Sequence, residues 1–253
     1  MVKIFALPAN EGDFIWIAYG DNEVYSHILI DGGTDECGEE YASIINIIDE
    51  RKEKIEALVL THVDYDHIQG ALEGICRISN DILDRTVKRI YFNTYQGIHR
   101  NLKGTGEILE SSVCVEDQIR VNQNYEEYGI KDGIKFGELL SEKGLKDRLV
   151  DYVVYGQHAA LPNGAAIRFI SPGEKELIKF ANEWEKYEKE NEYVQYASNL
   201  EMVKKNLVDL MQEKLLSDSS PNNASSIAFI FEYHSIKLAF LGDAKPSVCL
   251  QGI

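Results

Sequence analysis

Basic residues are scarce: 26 Lys and Arg stand against 42 Asp and Glu, a formal charge of -16 at pH 7. Such a surface lacks the broad cationic patch that grips a phosphate backbone, so a nucleic acid would have to be held locally, by metal and a few cations. Cysteine is sparse too. Cys37, Cys76, Cys114 and Cys249 lie far apart and form no C-x-x-C pair. A chain of 253 residues can bury a core without disulfide staples, so these read as reduced, structural thiols. Long apolar runs are missing: residues 4–7 follow a single early lysine and are cut by Pro8. That fits neither a signal peptide nor a membrane span, and the expectation is a cytoplasmic protein without membrane contact. No repeat, low-complexity tract or linker divides the chain, which reads as one domain over residues 1–253 with insertions.

What is present begins with three short apolar runs at 3–7, 14–19 and 26–31, separated by the turn signals Gly12-Asp13 and Gly20-Asp21-Asn22, a strand meander. After Asp31-Gly32-Gly33, residues 39–54 carry Ile44, Ile45, Ile47 and Ile48 among charges, a helix with one apolar face. Residues 57–60 form a buried strand that runs into Thr61-His62-Val63-Asp64-Tyr65-Asp66-His67. Further on, 71–83 reads as helix and 87–92 as strand, while 93–150 is Gly-punctuated and irregular. A strand at 166–170 is followed by Ser171-Pro172-Gly173-Glu174, which predicts a helix capped by Ser171 with Glu174 closing a capping box. Helical periodicity continues to 216, first through Leu177, Ala181 and Trp184, then through Tyr193, Ala197, Leu200, Val203, Leu207 and Leu210. Residues 227–233 and 236–241 form a hairpin turning at His234-Ser235 and ending in Gly242-Asp243.

Two histidines and two carboxylates, His62, Asp64, Asp66 and His67, fall within six positions at a strand exit. Clustering such groups costs repulsion and desolvation unless a cation neutralises them, and a divalent metal is the natural compensating charge. The alternative is a polar loop with satisfied hydrogen bonds. His27, His99 and His234 read as structural or solvent-facing. Arg100 and Lys103 flank Gly104-Thr105-Gly106 and could touch phosphate, but no strand-loop-helix context supports a phosphate loop.

These residues resemble the metallo-β-lactamase fold hydrolases, whose hallmark is His-x-His-x-Asp-His after a strand. Asp31 before Gly32-Gly33 matches that family's first motif, an acid supporting the ligand loop, and Gly242-Asp243 matches its later metal-bridging Asp. The resemblance implies an α/β, αββα sandwich of two facing sheets with helices outside. It implies that His62 and Asp64 hold a first ion, Asp66 and His67 a second, with Asp243 between them and Asp66 able to take a proton. Up to two divalent ions are implied, Zn²⁺ first, with Mn²⁺ or Mg²⁺ made more competitive by the extra hard oxygen of Asp64.

That aspartate in place of the second histidine is the variant seen in the hydrolase domain of competence DNA-uptake proteins and related bacterial defence hydrolases. Where many relatives carry a third-motif histidine, this chain has Pro221-Asn222-Asn223-Ala224-Ser225-Ser226. Asn222 or Asn223 touching the site through an amide oxygen, or a plain turn into the hairpin, are the two readings; His158 is a further stand-in candidate. The sequence stops at Ile253, where relatives continue to a final strand and ligand. The expectation is a fold with a shortened C-terminal half, completed by a protein partner or second chain if at all. The insertions 93–150 and 174–216 are expected outside the core, the first shaping substrate access.

Three functions follow as expectations: a metal-dependent phosphodiesterase or nuclease acting on nucleic acid or a nucleotide, in bacterial defence; a hydrolase of a small ester, lactone, thioester or amide; or a non-catalytic interaction module with a weakened metal site.

Overall fold

The computed structural model describes residues 1–21, 24–102, 123–191 and 220–253. In chain order it contains β1 (Val2–Ala6), β2 (Ile15–Asp21), β3 (Val24–Ile30), α1 (Gly38–Glu50), β4 (Lys54–Val59), α2 (Tyr65–Arg77), α3 (Asn80–Thr86), β5 (Ile90–Tyr91), α4 (Tyr95–Leu102) and α5 (Gln123–Glu142). Then come β6 (Leu149–Val150), β7 (His158–Ala160), β8 (Ala166–Ser171), α6 (Glu174–Asn191), α7 (Pro221–Ala224), β9 (Ala228–Tyr233), β10 (Ile236–Phe240) and α8 (Pro246–Gly252). Among the described residues no helix is long and apolar enough to cross a membrane.

The strands form two sheets, ordered β1-β2-β3-β4-β5-β6 and β10-β9-β8-β7. Strand alternation decides which residues go where. Ile17, Tyr19, Ile28, Ile30, Ala57 and Val59 point inward to meet Ile167, Phe169, Phe229 and Phe231 of the second sheet. Their neighbours Leu29, Ile55 and Leu58 point outward, under Tyr41, Ile45 and Ile48 of α1 and Ile68 and Ile75 of α2. The far face of the second sheet packs Ile170 and Ala228 against Cys249 of α8. The result is the αββα sandwich.

Two glycines set how closely α2 approaches β3. A Cβ on Gly70 would stand 1.9 Å from the Gly32 carbonyl oxygen, and one on Gly32 2.4 Å from the Ala71 nitrogen. Backbone touches backbone there, with Gly32 N donating to His67 O at 2.8 Å and Gly70 N to Gly33 O at 3.0 Å.

Several expectations change. Helix α2 starts at Tyr65 rather than near Ala71, so Asp66 and His67 lie in its first turn. The irregular region 93–150 carries helices α4 and α5 where described and ends in β6. Its glycines looked like breakers, yet Gly129 and Gly133 sit where α5 closes on Val63 and Trp184, while Ile130, Phe136 and Leu140 fill the core beneath. Ser171 does not cap α6: it ends β8 in register with Ala228, and among the described residues its buried hydroxyl has no hydrogen-bond partner. The helix begins at Glu174 instead. Leu177, Ala181 and Trp184 are buried as expected, whereas the face from Tyr193 to Leu210 lies outside the described residues. Lys103 and Gly104-Thr105-Gly106 do too, and Arg100 is engaged by Asp151 at 2.6 Å.

His27 is structural. Trp16 Nε1 donates to its Nδ1 at 3.0 Å, and its Nε2 lies 2.8 Å from Glu53 Oε2, so the neutral Nε2–H tautomer satisfies both partners. Burial holds its pKa below the ordinary 6.5, against the pull of Glu53. A folded state that resists protonation is fully stabilised above the unfolded value and loses stability as pH falls toward the folded one. Urea denaturation at about pH 7.5 and about pH 5.5 should therefore show a loss at the lower pH that is smaller in the non-titrating His27→Gln variant. Equal losses in both proteins would refute this.

Candidate metal centre

The strand β4 delivers Thr61 and His62 to the edge of the sandwich, and α2 carries Asp66 and His67 over the end of β3. Asp31 joins the two. Held at a φ of 53°, a conformation Asp tolerates better than most residues, it accepts Thr61 N at 2.7 Å and Thr61 Oγ1 at 2.7 Å. Its Oδ2 also faces His67 Nδ1 at 2.8 Å. Thr61 spends its one hydroxyl proton on Asp31, so toward His62 Nδ1, 2.9 Å away, it can only accept. In their neutral forms both imidazoles are thereby Nδ1–H tautomers, and a cation that displaces any proton from Nε2 meets a lone pair there.

Those two nitrogens converge on one carboxylate. Asp243 Oδ2 lies 3.9 Å from His62 Nε2 and 3.8 Å from His67 Nε2. Beside them, Asp64 Oδ2 is 3.4 Å from His62 Nε2, and Asp66 Oδ2 is 3.7 Å from His67 Nε2. The arrangement thus divides into His62 with Asp64, His67 with Asp66, and Asp243 shared. His62 Nε2 is buried and, among the described residues, has no hydrogen-bond partner, which is costly for a polar atom unless something else occupies its lone pair. The donor set, two imidazole nitrogens and carboxylate oxygens held by second partners, suits a divalent ion.

Electrostatics point the same way. Burial would lower the His67 pKa, but Asp31, Asp66 and Asp243 override it and push it up to about 9. Burial disfavours ionised Asp64, yet His62 and Asn222 hold its carboxyl below the usual range. No lysine or arginine forms an ion pair with these carboxylates among the described residues, so a divalent cation is the natural compensating charge.

Residues 21–83 match the family model of the metallo-beta-lactamase superfamily. The matched stretch contains Asp31 and the whole run from His62 to His67 and ends before Asp243. Together with the sandwich and the clustered donors, it supports a metal-dependent hydrolase. Comparison with curated proteins finds no match.

Of the remaining candidates, Asn222 is brought to the site and His158 is not. Asn222 is buried and donates its Nδ2 to Asp64 Oδ1 at 2.8 Å. The expected contact through an amide oxygen is reversed, because a carboxylate acceptor requires the NH₂ side. Asn223 N meets the capping hydroxyl of Ser220 at 3.4 Å, which gives it a part in shaping α7. His158 opens the exposed edge strand β7, opposite Arg168, and belongs to neither of the donor groups that the described residues assemble.

One residue escaped the sequence reading. Asp13, taken only for part of a turn, has a carboxylate oxygen that lies with a carboxylate oxygen of Asp31 and a ring nitrogen of His67, all within 4.8 Å of one another. Its own carbonyl accepts Gly33 N at 3.0 Å, and Gly12 at φ +72° leaves no room for a Cβ against the Asp66 carbonyl. Burial first, then Asp31 and Asp243, raise the Asp13 pKa. The usable signal was Gly-Asp placed just before a strand whose neighbour runs directly into Asp31.

Proposed function

We propose that the chain is a hydrolase using two divalent ions, and that its substrates are phosphodiesters of the nucleotide or nucleic-acid class. The observation that carries the metal centre is the convergence of His62 Nε2 and His67 Nε2 on Asp243 Oδ2. In this reading His62 and Asp64 would hold one ion, Asp66 and His67 the other, and Asp243 would serve both. Two such ions, when bound, supply charge neutralisation and an activated water for attack. The chain's own part is to hold the imidazoles in their ligating tautomer through Asp31 and Thr61, and to receive the proton released on attack at the carboxylate of Asp66, which is 34% exposed. The oxygen-rich donor set lets Mn²⁺ or Mg²⁺ compete with Zn²⁺.

The phosphodiester assignment, and a setting in bacterial defence, rest on the resemblance of His-x-Asp-x-Asp-His to nucleic-acid-associated relatives. The formal charge of -16 favours a second substrate class, small esters, lactones, thioesters or amides, which need no polyanion docking. A panel of both classes, assayed with Zn²⁺ and with Mn²⁺, separates them. Elemental analysis should find near two equivalents of bound metal. Asp66→Ala should lower turnover on the order of 10²–10³-fold. A metal-free preparation that takes up no ion, or an Asp66→Ala protein cleaving at the wild-type rate, overturns the reading.

A further inference from the structure

We infer that Asn222 is a positioning residue that restricts Asp64 to one ligating oxygen, with Gly129 as the contact through which the α5 insertion keeps that pair closed. The inference rests on reading His62 and Asp64 as an ion-binding pair. It concerns how many oxygens Asp64 offers.

Asp64 stands at the N-cap of α2 but its side chain makes no capping bond. The carboxylate is therefore not held by its own helix, and without another partner both oxygens could turn toward a cation. Asn222 supplies that partner from 158 positions away, Nδ2 to Oδ1 at 2.8 Å. An amide nitrogen offers protons and no lone pair, so through this contact Asn222 acts on Asp64 and not on an ion. With Oδ1 engaged, Oδ2 is the oxygen left beside His62 Nε2, at 3.4 Å. One-oxygen ligation leaves a coordination position open, which separates a catalytic ion from a structural one.

The residues around Asn222 are built to hold it still. Pro221 opens α7, the Ser220 hydroxyl accepts from Asn223 N, and Ser225 Oγ donates to Asn222 O at 2.7 Å. From the other side α5 closes down. A Cβ on Gly129 would lie 3.0 Å from Asp64 Oδ1 and 3.1 Å from Asn222 Nδ2, with Val63 Cγ2 at 3.2 Å. A side chain there would press on both partners of the hydrogen bond at once, which only glycine avoids.

The test uses the full chain, stripped of metal and titrated calorimetrically with Mn²⁺, with the visible spectrum of the Co²⁺-loaded protein as a second readout. Asn222→Leu removes the donor and keeps the branched shape of the side chain. One of the two binding steps should weaken about 10–100-fold while the other stays within about threefold. The Co²⁺ bands should lose intensity as Asp64, freed, binds through both oxygens and coordination number rises. Asn222→Gln, which keeps the donor, should recover part of the change, and Gly129→Ala should reproduce a weaker form of it. Unchanged steps and spectrum in a folded Asn222→Leu protein overturn the inference while leaving the two-ion reading intact. Equal weakening of both steps overturns it as well, since that is loss of structure. If Asn222→Leu does not fold, Gly129→Ala decides by the same criteria. A wild-type chain that binds no ion removes the reading beneath it.

Discussion

Replacing Asp243 with alanine should weaken both ion-binding steps together and lower hydrolysis by about 10³-fold, more than loss of any other single carboxylate. The reason is position. Asp243 Oδ2 is within 3.9 Å of both imidazole Nε2 atoms, whereas Asp64 is paired with His62 and Asp66 with His67. Asp64→Ala and Asp66→Ala are therefore expected to affect mainly one step each. Folding should not suffer, because the Asp243 side chain is 43% exposed and its removal relieves repulsion among carboxylates when no ion is present. Calorimetric titration of the three variants side by side, with melting curves of the metal-free proteins, checks this. An Asp243→Ala isotherm that loses one step and keeps the other at wild-type affinity would show that Asp243 is not shared.

Asp31→Asn should be the most damaging conservative change. Asparagine keeps the size and tolerates the positive φ of 53°, so backbone strain is not the issue. Hydrogen-bond polarity is. The carboxylate receives three donors, Thr61 N, Thr61 Oγ1 and His67 Nδ1, and an amide must turn its NH₂ toward at least one of them. A buried donor facing a donor costs about 1–3 kcal/mol. The damage also spreads to function, because Thr61, losing its acceptor, no longer fixes His62, and His67 loses the partner that sets its tautomer. Metal affinity should fall about 10–100-fold alongside the lower melting temperature. A variant that melts early but binds ions as tightly as wild type would confine Asp31 to a structural role.

Much of this was readable from residue order. The strand at 57–60, the helix after Gly32-Gly33 and the hairpin ending at Asp243 each had a clear period and turn signals, and Asp31, His62, Asp64, Asp66, His67 and Asp243 do meet. What escaped depended on contacts made across the chain. The start of α2 was hidden because its first turn is written in the polar residues of the site. Segment 93–150 looked irregular because Gly129 and Gly133 serve close packing of α5, which from sequence alone is indistinguishable from helix breaking. Ser171 had the composition of a cap, but its pairing with Ala228 keeps it in the sheet. The direction of the Asn222 contact and the approach of Asp13 both follow from distant partners and had no local signature.

The separations along the chain give the site an uneven architecture. Its imidazole half is assembled by partners 30 and 36 positions apart, Thr61 and His67 on Asp31, while Asn222 reaches Asp64 across 158 and Asp243 arrives later still. Ions held between these groups would act as removable cross-links closing a very long loop. The free energy of binding would then be spent largely on tying the hairpin of the second sheet to the first. Chelation would accordingly loosen a whole layer of the sandwich, and the thermal stability of this chain would report the free metal around it.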